Sequence, residues 1–137
     1  MNDFVLDASL ALQWFLEDEA DRKYSLQVLS KLNTKRAVVP VLWFYEVGNG
    51  LLMAQRRKRI TRQQVESFLE HLRKLPIDAI DQTPSEILKF PELAQQYALT
   101  NYDAAYLALA SSNHIPLATT DIELRKAAQK AGVDLFK

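Results

Sequence analysis

Short uninterrupted apolar runs alternate along the chain with longer stretches whose apolar residues recur every three or four positions. Phe4 to Leu6 is the first run, three consecutive large apolar residues that predict a short, fully buried strand. Ser9 is placed to cap a helix directly after it, since Leu10, Ala11, Trp14 and Phe15 fall at helical spacing. Glu17-Asp18-Glu19 ends that helix or starts the next, whose apolar face is Tyr24, Val28, Leu29 and Leu32. Arg36 to Val39 predicts a second strand, and Pro40 suits the first turn of a helix running from Val41 to Gln55. Gly48 and Gly50 weaken that helix by about 1 kcal/mol each relative to alanine. Thr61 caps a further helix with Val65, Phe68, Leu69 and Leu72 facing inward.

Leu75 to Ile80 predicts a third strand, and Thr83-Pro84 opens a helical stretch that Pro91 must break or kink. Thr100 begins a helix through Ser111, Asn113-His114 is a turn, and Ile115 to Ala118 predicts a fourth strand. A helix from Asp121 to Ala131 is closed by Gly132, and Val133 to Phe136 predicts a short final strand. Strands alternating with helices predict an α/β fold: a parallel sheet covered on both faces.

Composition narrows the chemistry. At 137 residues with 48% hydrophobic content, the chain is expected to form a single domain with a substantial core. Seventeen basic and seventeen acidic residues cancel, so any nucleic-acid contact must come from a local patch. The absence of cysteine removes disulfides, thiolate catalysis and thiolate metal sites, and fits a reducing cytoplasm. No basic segment followed by a long apolar core reads as a signal peptide. The longest uncharged apolar run, Ala37 to Tyr45, is far short of the ~20 residues that span a bilayer. A soluble, cytoplasmic protein without a membrane is expected.

Against this background four acids stand out. Asp7 is the only charge between Phe4 and Leu16, Glu46 the only one between Ala37 and Gln55, and Asp103 the only formal charge between Leu93 and Thr120. Asp121 follows the fourth strand as Asp7 follows the first. Each has an ordinary structural explanation: Asp7 as a helix cap, Asp103 in a capping box with Thr100, Asp121 as an N-cap or beside a Thr120–Glu123 box, Glu46 facing solvent. Together they suggest more. Ligands of open α/β sheets bind beyond the carboxyl ends of strands, where strand order reverses. Asp7 and Asp121 lie at such ends, and the helices carrying Glu46 and Asp103 can lean over the same crevice. Carboxylates brought together repel and are driven to protonate unless a cation intervenes. Hard ions such as Mg²⁺ or Mn²⁺ prefer these oxygen ligands, and with only His71 and His114 available a zinc site is not expected. A pair of such ions roughly 3.5–4 Å apart is a standard means of cleaving a phosphodiester. Small polar helpers are present in Ser9, Thr119 and Asn49, the last at i+3 from Glu46.

The pieces Val5-Leu6-Asp7-Ala8-Ser9, Pro40-x5-Glu46-x2-Asn49-x-Leu51, Tyr102-Asp103-Ala104-Ala105-Tyr106-Leu107-Ala108-Leu109-Ala110 and Leu117-Ala118-Thr119-Thr120-Asp121 run through the chain in register. In this order they resemble the PIN-domain ribonucleases, and more closely the VapC-type toxins of prokaryotic toxin–antitoxin pairs. The resemblance covers essentially the whole chain. It implies a three-layer α/β/α sandwich with a five-stranded parallel sheet of order 3-2-1-4-5. It also implies Mg²⁺- or Mn²⁺-dependent endonucleolytic cleavage of RNA, inhibition by a cognate antitoxin, and a homodimer. Carried over by position, Asp7, Glu46, Asp103 and Asp121 are the catalytic, metal-binding acids, with Ser9, Asn49 and Thr119 in support.

Two other functions fit parts of the pattern. A phosphatase with Asp7 as covalent nucleophile would resemble the haloacid dehalogenase group; that group's second aspartate is replaced here by Ser9, its lysine near the late acids is not matched, and no glycine-rich phosphate loop is present. A catalytically silent interaction module would be favoured by loss of an acid, and none is lost. Arg56-Arg57-Lys58-Arg59 either grips RNA phosphates or closes a helix in solvent. Trp14, Trp43, Phe44 and Tyr45 either stack on bases or belong to the core and to protein interfaces. Glu123 reads as a solvent-facing first-turn residue rather than an auxiliary acid, and His71 and His114 as structural or exposed.

Overall fold

The computed structural model describes residues 3–19 and 21–137. Four strands, β1 (Phe4–Leu6), β2 (Ala37–Pro40), β3 (Ile77–Ile80) and β4 (Leu117–Ala118), form one parallel sheet in the order β3-β2-β1-β4. Every residue of β1, β2 and β4 is buried, as required of strands covered on both faces, whereas β3 at the edge is partly exposed. β1 pairs with β2 on one side and β4 on the other, so strand order reverses at β1.

The expected fifth strand is not formed. Val133 to Phe136 is reduced to a single parallel bridge between Leu117 and Leu135, with Leu117 N–H donating to the Asp134 carbonyl and Phe136 N–H to the Leu117 carbonyl. β4 is only two residues long and offers little more to pair with. The Phe136 ring instead turns inward and stacks on Phe4, centroids 4.0 Å apart.

Eight helices connect these strands among the described residues: α1 (Ala8–Leu12), α2 (Lys23–Lys31), α3 (Leu42–Arg56), α4 (Arg62–Arg73), α5 (Pro84–Ile87), α6 (Phe90–Tyr97), α7 (Asn101–Asn113) and α8 (Ile122–Lys130). Thr61 and Thr83 each form a complete capping box, with Gln64 and Glu86. Pro91 divides the stretch after Thr83 into α5 and α6 by occupying the first turn of the latter. Gly132, at φ 76°, ends the chain segment after α8. Three expectations shift. Pro40 is the last residue of β2, paired with Ile80, and not the first turn of α3. Ser9 lies inside α1, and the N-cap position belongs to Asp7. α1 stops at Leu12, so Trp14 reaches the core from the turn beyond, its indole N–H donating to the Ser25 carbonyl at 2.7 Å.

Tight approach of α1 to α3 explains one glycine: a Cβ at Gly50 would stand 2.4 Å from Leu12 Cδ1, while one at Gly48 would meet nothing within 4 Å. α7 packs across β1 and β2, and its residues Ala104 to Leu107 are buried. No helix among the described residues is long and apolar enough to cross a membrane.

Candidate active site

Asp7 leaves the carboxyl end of β1 and Thr119 leaves that of β4, on either side of the line where strand order reverses. The Asp7 N–H donates to the Ala118 carbonyl at 3.0 Å, which fixes the two ends together. The Asp7 side chain is only 5% exposed and makes no cap bond to α1. Its Oδ2 accepts from two hydroxyls, Thr119 Oγ1 at 2.6 Å and Ser9 Oγ at 2.7 Å. Burial pushes the Asp7 carboxyl above the ordinary aspartate range; the bonds from Thr119 and Ser9 pull against this, and the charge of Asp121 adds to the rise. No lysine or arginine pairs with it, or with the other three acids, among the described residues.

Thr119 is fully buried and satisfied in both roles, donating to Asp7 and accepting from the Asp121 N–H at 3.0 Å. Asp121 is the N-cap of α8: its Oδ1 accepts from the Glu123 and Leu124 amides at 2.9 and 3.1 Å. The Thr120–Glu123 box is not formed among the described residues, and the Glu123 carboxylate faces Lys126. Arg125, one turn into α8, donates to the Thr119 carbonyl at 2.8 Å and lies over the Tyr24 ring.

The helices bring the remaining acids to the same end of the sheet. Asp103 sits in the first turn of α7, where its amide donates to the Thr100 hydroxyl at 3.1 Å; the side chain does not reach back, so only half a capping box forms. Burial, then the charges of Asp121 and Asp7, raise its carboxyl above the ordinary range. Glu46, half-buried near the start of α3, accepts at Oε1 from the Tyr106 hydroxyl at 2.6 Å. Burial raises its carboxyl, the Tyr106 bond opposes this, and the charges of Asp7 and Asp103 add to it. The four acids therefore sense one another electrostatically. As they stand, no three acidic or histidine side chains among the described residues are gathered closely enough to hold one metal ion.

Other residues singled out by sequence fall outside this cluster. Asn49 is exposed one turn beyond Glu46 and takes no part in the hydrogen bonding described above. Arg59 is engaged by Asp18 and Glu19, at 2.7 and 3.3 Å, and Arg56, Arg57 and Lys58 are exposed. About 15 Å of helix axis separates Glu46 from Arg56. Trp14 and Trp43 are in the core, whereas Phe44 and Tyr45 are exposed. His71 is exposed and contacts the Ser67 carbonyl, and His114, at φ 54°, ends α7. Sequence reasoning assigned no part to Tyr106. The available signal was its spacing, three residues after Asp103 on the same face of α7.

In open α/β sheets ligands bind beyond the carboxyl ends of the strands where strand order reverses, and these acids lie there. The PIN domain family model matches residues 4–130, and the chain belongs to that family. Among solved structures, PAE2754 from Pyrobaculum aerophilum is similar over 92% of this chain and 84% of its own, at TM-score 0.71 and 22% identity. VapBC2 from Rickettsia felis, bound to a DNA fragment from their promoter, matches over 98% and 97% at TM-score 0.68 and 14% identity. FitAcB from Neisseria gonorrhoeae matches over 98% and 96% at TM-score 0.63 and 16% identity. No curated protein matches the chain.

Proposed function

We propose that this PIN-domain chain is a single-domain, cytoplasmic endoribonuclease dependent on Mg²⁺ or Mn²⁺, and the toxin of a toxin–antitoxin pair. One observation carries the reading: a nearly inaccessible Asp7 carboxylate with no cationic partner, coupled to three further acids at a strand-order reversal. A protein that holds such charges together without a lysine or arginine has a use for a cation that it does not supply itself.

The donor set suits a hard divalent ion, being carboxylate oxygens with no thiolate among them. Asp7, Glu46, Asp103 and Asp121 are the residues that would hold it. When bound, such an ion supplies activation of water and charge neutralisation on the scissile phosphate. The chain's own part is orientation. Ser9 and Thr119 hold Asp7 by Oδ2, the α8 amides hold Asp121 by Oδ1, and Tyr106 holds Glu46 by Oε1, so each of these acids is oriented by the fold. Burial of Asp7 and Thr119 keeps water from competing for these bonds.

An antitoxin partner and a homodimer are part of the same proposal. Support comes from the VapBC2 and FitAcB likenesses and from apolar side chains left exposed near the starts of α3 and α7: Val41, Phe44, Tyr45 and Tyr102. The test is cleavage of structured RNAs by the purified chain in Mg²⁺, Mn²⁺ or EDTA. Cleavage that needs the ion and disappears in Asp7→Asn supports the reading. Ion-independent cleavage, or equal cleavage by Asp7→Asn, overturns it, and no cleavage under any ion leaves an interaction module.

A further inference from the structure

Glu46 differs from the other acids in how it is held. Asp7 and Asp121 have short side chains anchored at strand and helix ends by two bonds each. Glu46 has a longer side chain on the body of α3 and is half-buried. Among the described residues one side-chain hydrogen bond holds it, the 2.6 Å bond from Tyr106 across 60 residues of sequence. The Tyr106 ring is fully buried in the core, so its hydroxyl has a fixed position. It also lies three residues after Asp103, so α7 delivers one acid and, on the next turn, the group that restrains another.

We infer that Tyr106 is a positioning residue of the acid site: it holds Glu46 inward by Oε1 and presents Oε2 to the divalent cation. This rests on the metal-site reading above. Without the hydroxyl, the half-buried Glu46 side chain regains its rotamer freedom with no bond to hold it toward the other acids.

The test is Tyr106→Phe, which keeps the buried ring and removes only the hydroxyl. Mn²⁺ binding is titrated calorimetrically on wild type, Tyr106→Phe and Glu46→Gln, and thermal unfolding is followed in EDTA. Tyr106→Phe is expected to bind Mn²⁺ about 10- to 100-fold more weakly than wild type, as for loss of other bonds that orient a ligating group. Its ion-free melting temperature should stay close to that of wild type, and its affinity loss should not exceed that of Glu46→Gln. Unchanged Mn²⁺ affinity overturns the inference alone. So does a loss of affinity matched by a fall in ion-free stability, which is the mark of a staple between helices, or a loss greater than that of Glu46→Gln. Absence of Mn²⁺ binding in the wild type overturns the metal-site reading and this inference with it.

Discussion

Thr119 and Asp7, 112 residues apart in sequence, are joined by a 2.6 Å hydrogen bond across the line where the sheet reverses order. The same hydroxyl accepts from Asp121, so one buried oxygen ties together the two acids that come after β1 and β4. Thr119→Val keeps the shape, removes a donor to a buried carboxylate and strands the Asp121 amide. We expect a loss of about 1–3 kcal/mol in urea unfolding at neutral pH, the range for a buried polar group deprived of its partner. Thr119→Ser, which keeps the hydroxyl, should lose less. Equal losses would assign the effect to packing.

The raised carboxyls give a pH dependence with a definite sign. Asp7, Glu46 and Asp103 all hold protons in the folded chain at pH values where the unfolded chain has released them. The stability of the ion-free protein therefore falls as pH rises from the ordinary carboxylate range through these raised values. Asp18, whose carboxyl Arg59 lowers, loses its contribution only below that window and does not mask the trend. Calorimetry in EDTA should show a higher melting temperature at pH 5 than at pH 7. Asp7→Asn should raise the value at pH 7 and flatten the slope; a steeper slope, or outright unfolding, would contradict the assignment. Excess Mg²⁺ should stabilise wild type more at pH 7 than at pH 5, because protons compete for the same oxygens.

Much of this was legible from residue order alone. Runs such as Phe4–Leu6 and the isolation of Asp7, Glu46 and Asp103 mark strands and misplaced charge without any knowledge of contacts. Capping by Thr61, Thr83 and Thr100 is local chemistry and was readable for that reason. Two things were not. The Tyr106–Glu46 bond joins residues on different helices, and the spacing of that tyrosine from Asp103 does not reveal a partner 60 residues away. The last strand failed because its existence depends on what the two-residue β4 offers to pair with, which residue order alone does not show. Asp121 is the N-cap that its position after the fourth strand allowed, with Oδ1 accepting from two α8 amides, and its place in the acid site is part of the proposal.

The two helical glycines of α3 should respond oppositely to alanine. At Gly48 a Cβ meets nothing, and Gly48→Ala is expected to stabilise by up to about 1 kcal/mol through helix propensity. At Gly50 the same atom runs into Leu12, so Gly50→Ala should fall below Gly48→Ala by about 1–3 kcal/mol, the usual range for overpacking. Chemical denaturation of the two variants side by side decides it. Equal gains would mean that Leu12 moves aside freely.

The basic end of α3 makes a separable prediction about RNA. Arg56, Arg57 and Lys58 are exposed, while Arg59 is already engaged by Asp18 and Glu19. If the cluster contacts phosphates, those contacts release counterions, and each one lost should lower the salt slope of binding to single-stranded RNA by about 0.7. Binding of a single-stranded RNA to Asp7→Asn, chosen to suppress cleavage, is measured across a salt series. Arg56→Ala, Arg57→Ala and Lys58→Ala in that background should each flatten the slope and weaken binding alike for all sequences. Arg59→Ala should leave the slope unchanged, since Asp18 and Glu19 already offset its charge. A slope indifferent to the first three substitutions would return the cluster to the role of a solvated helix end, and RNA contact would have to be sought on the acid-bearing face instead.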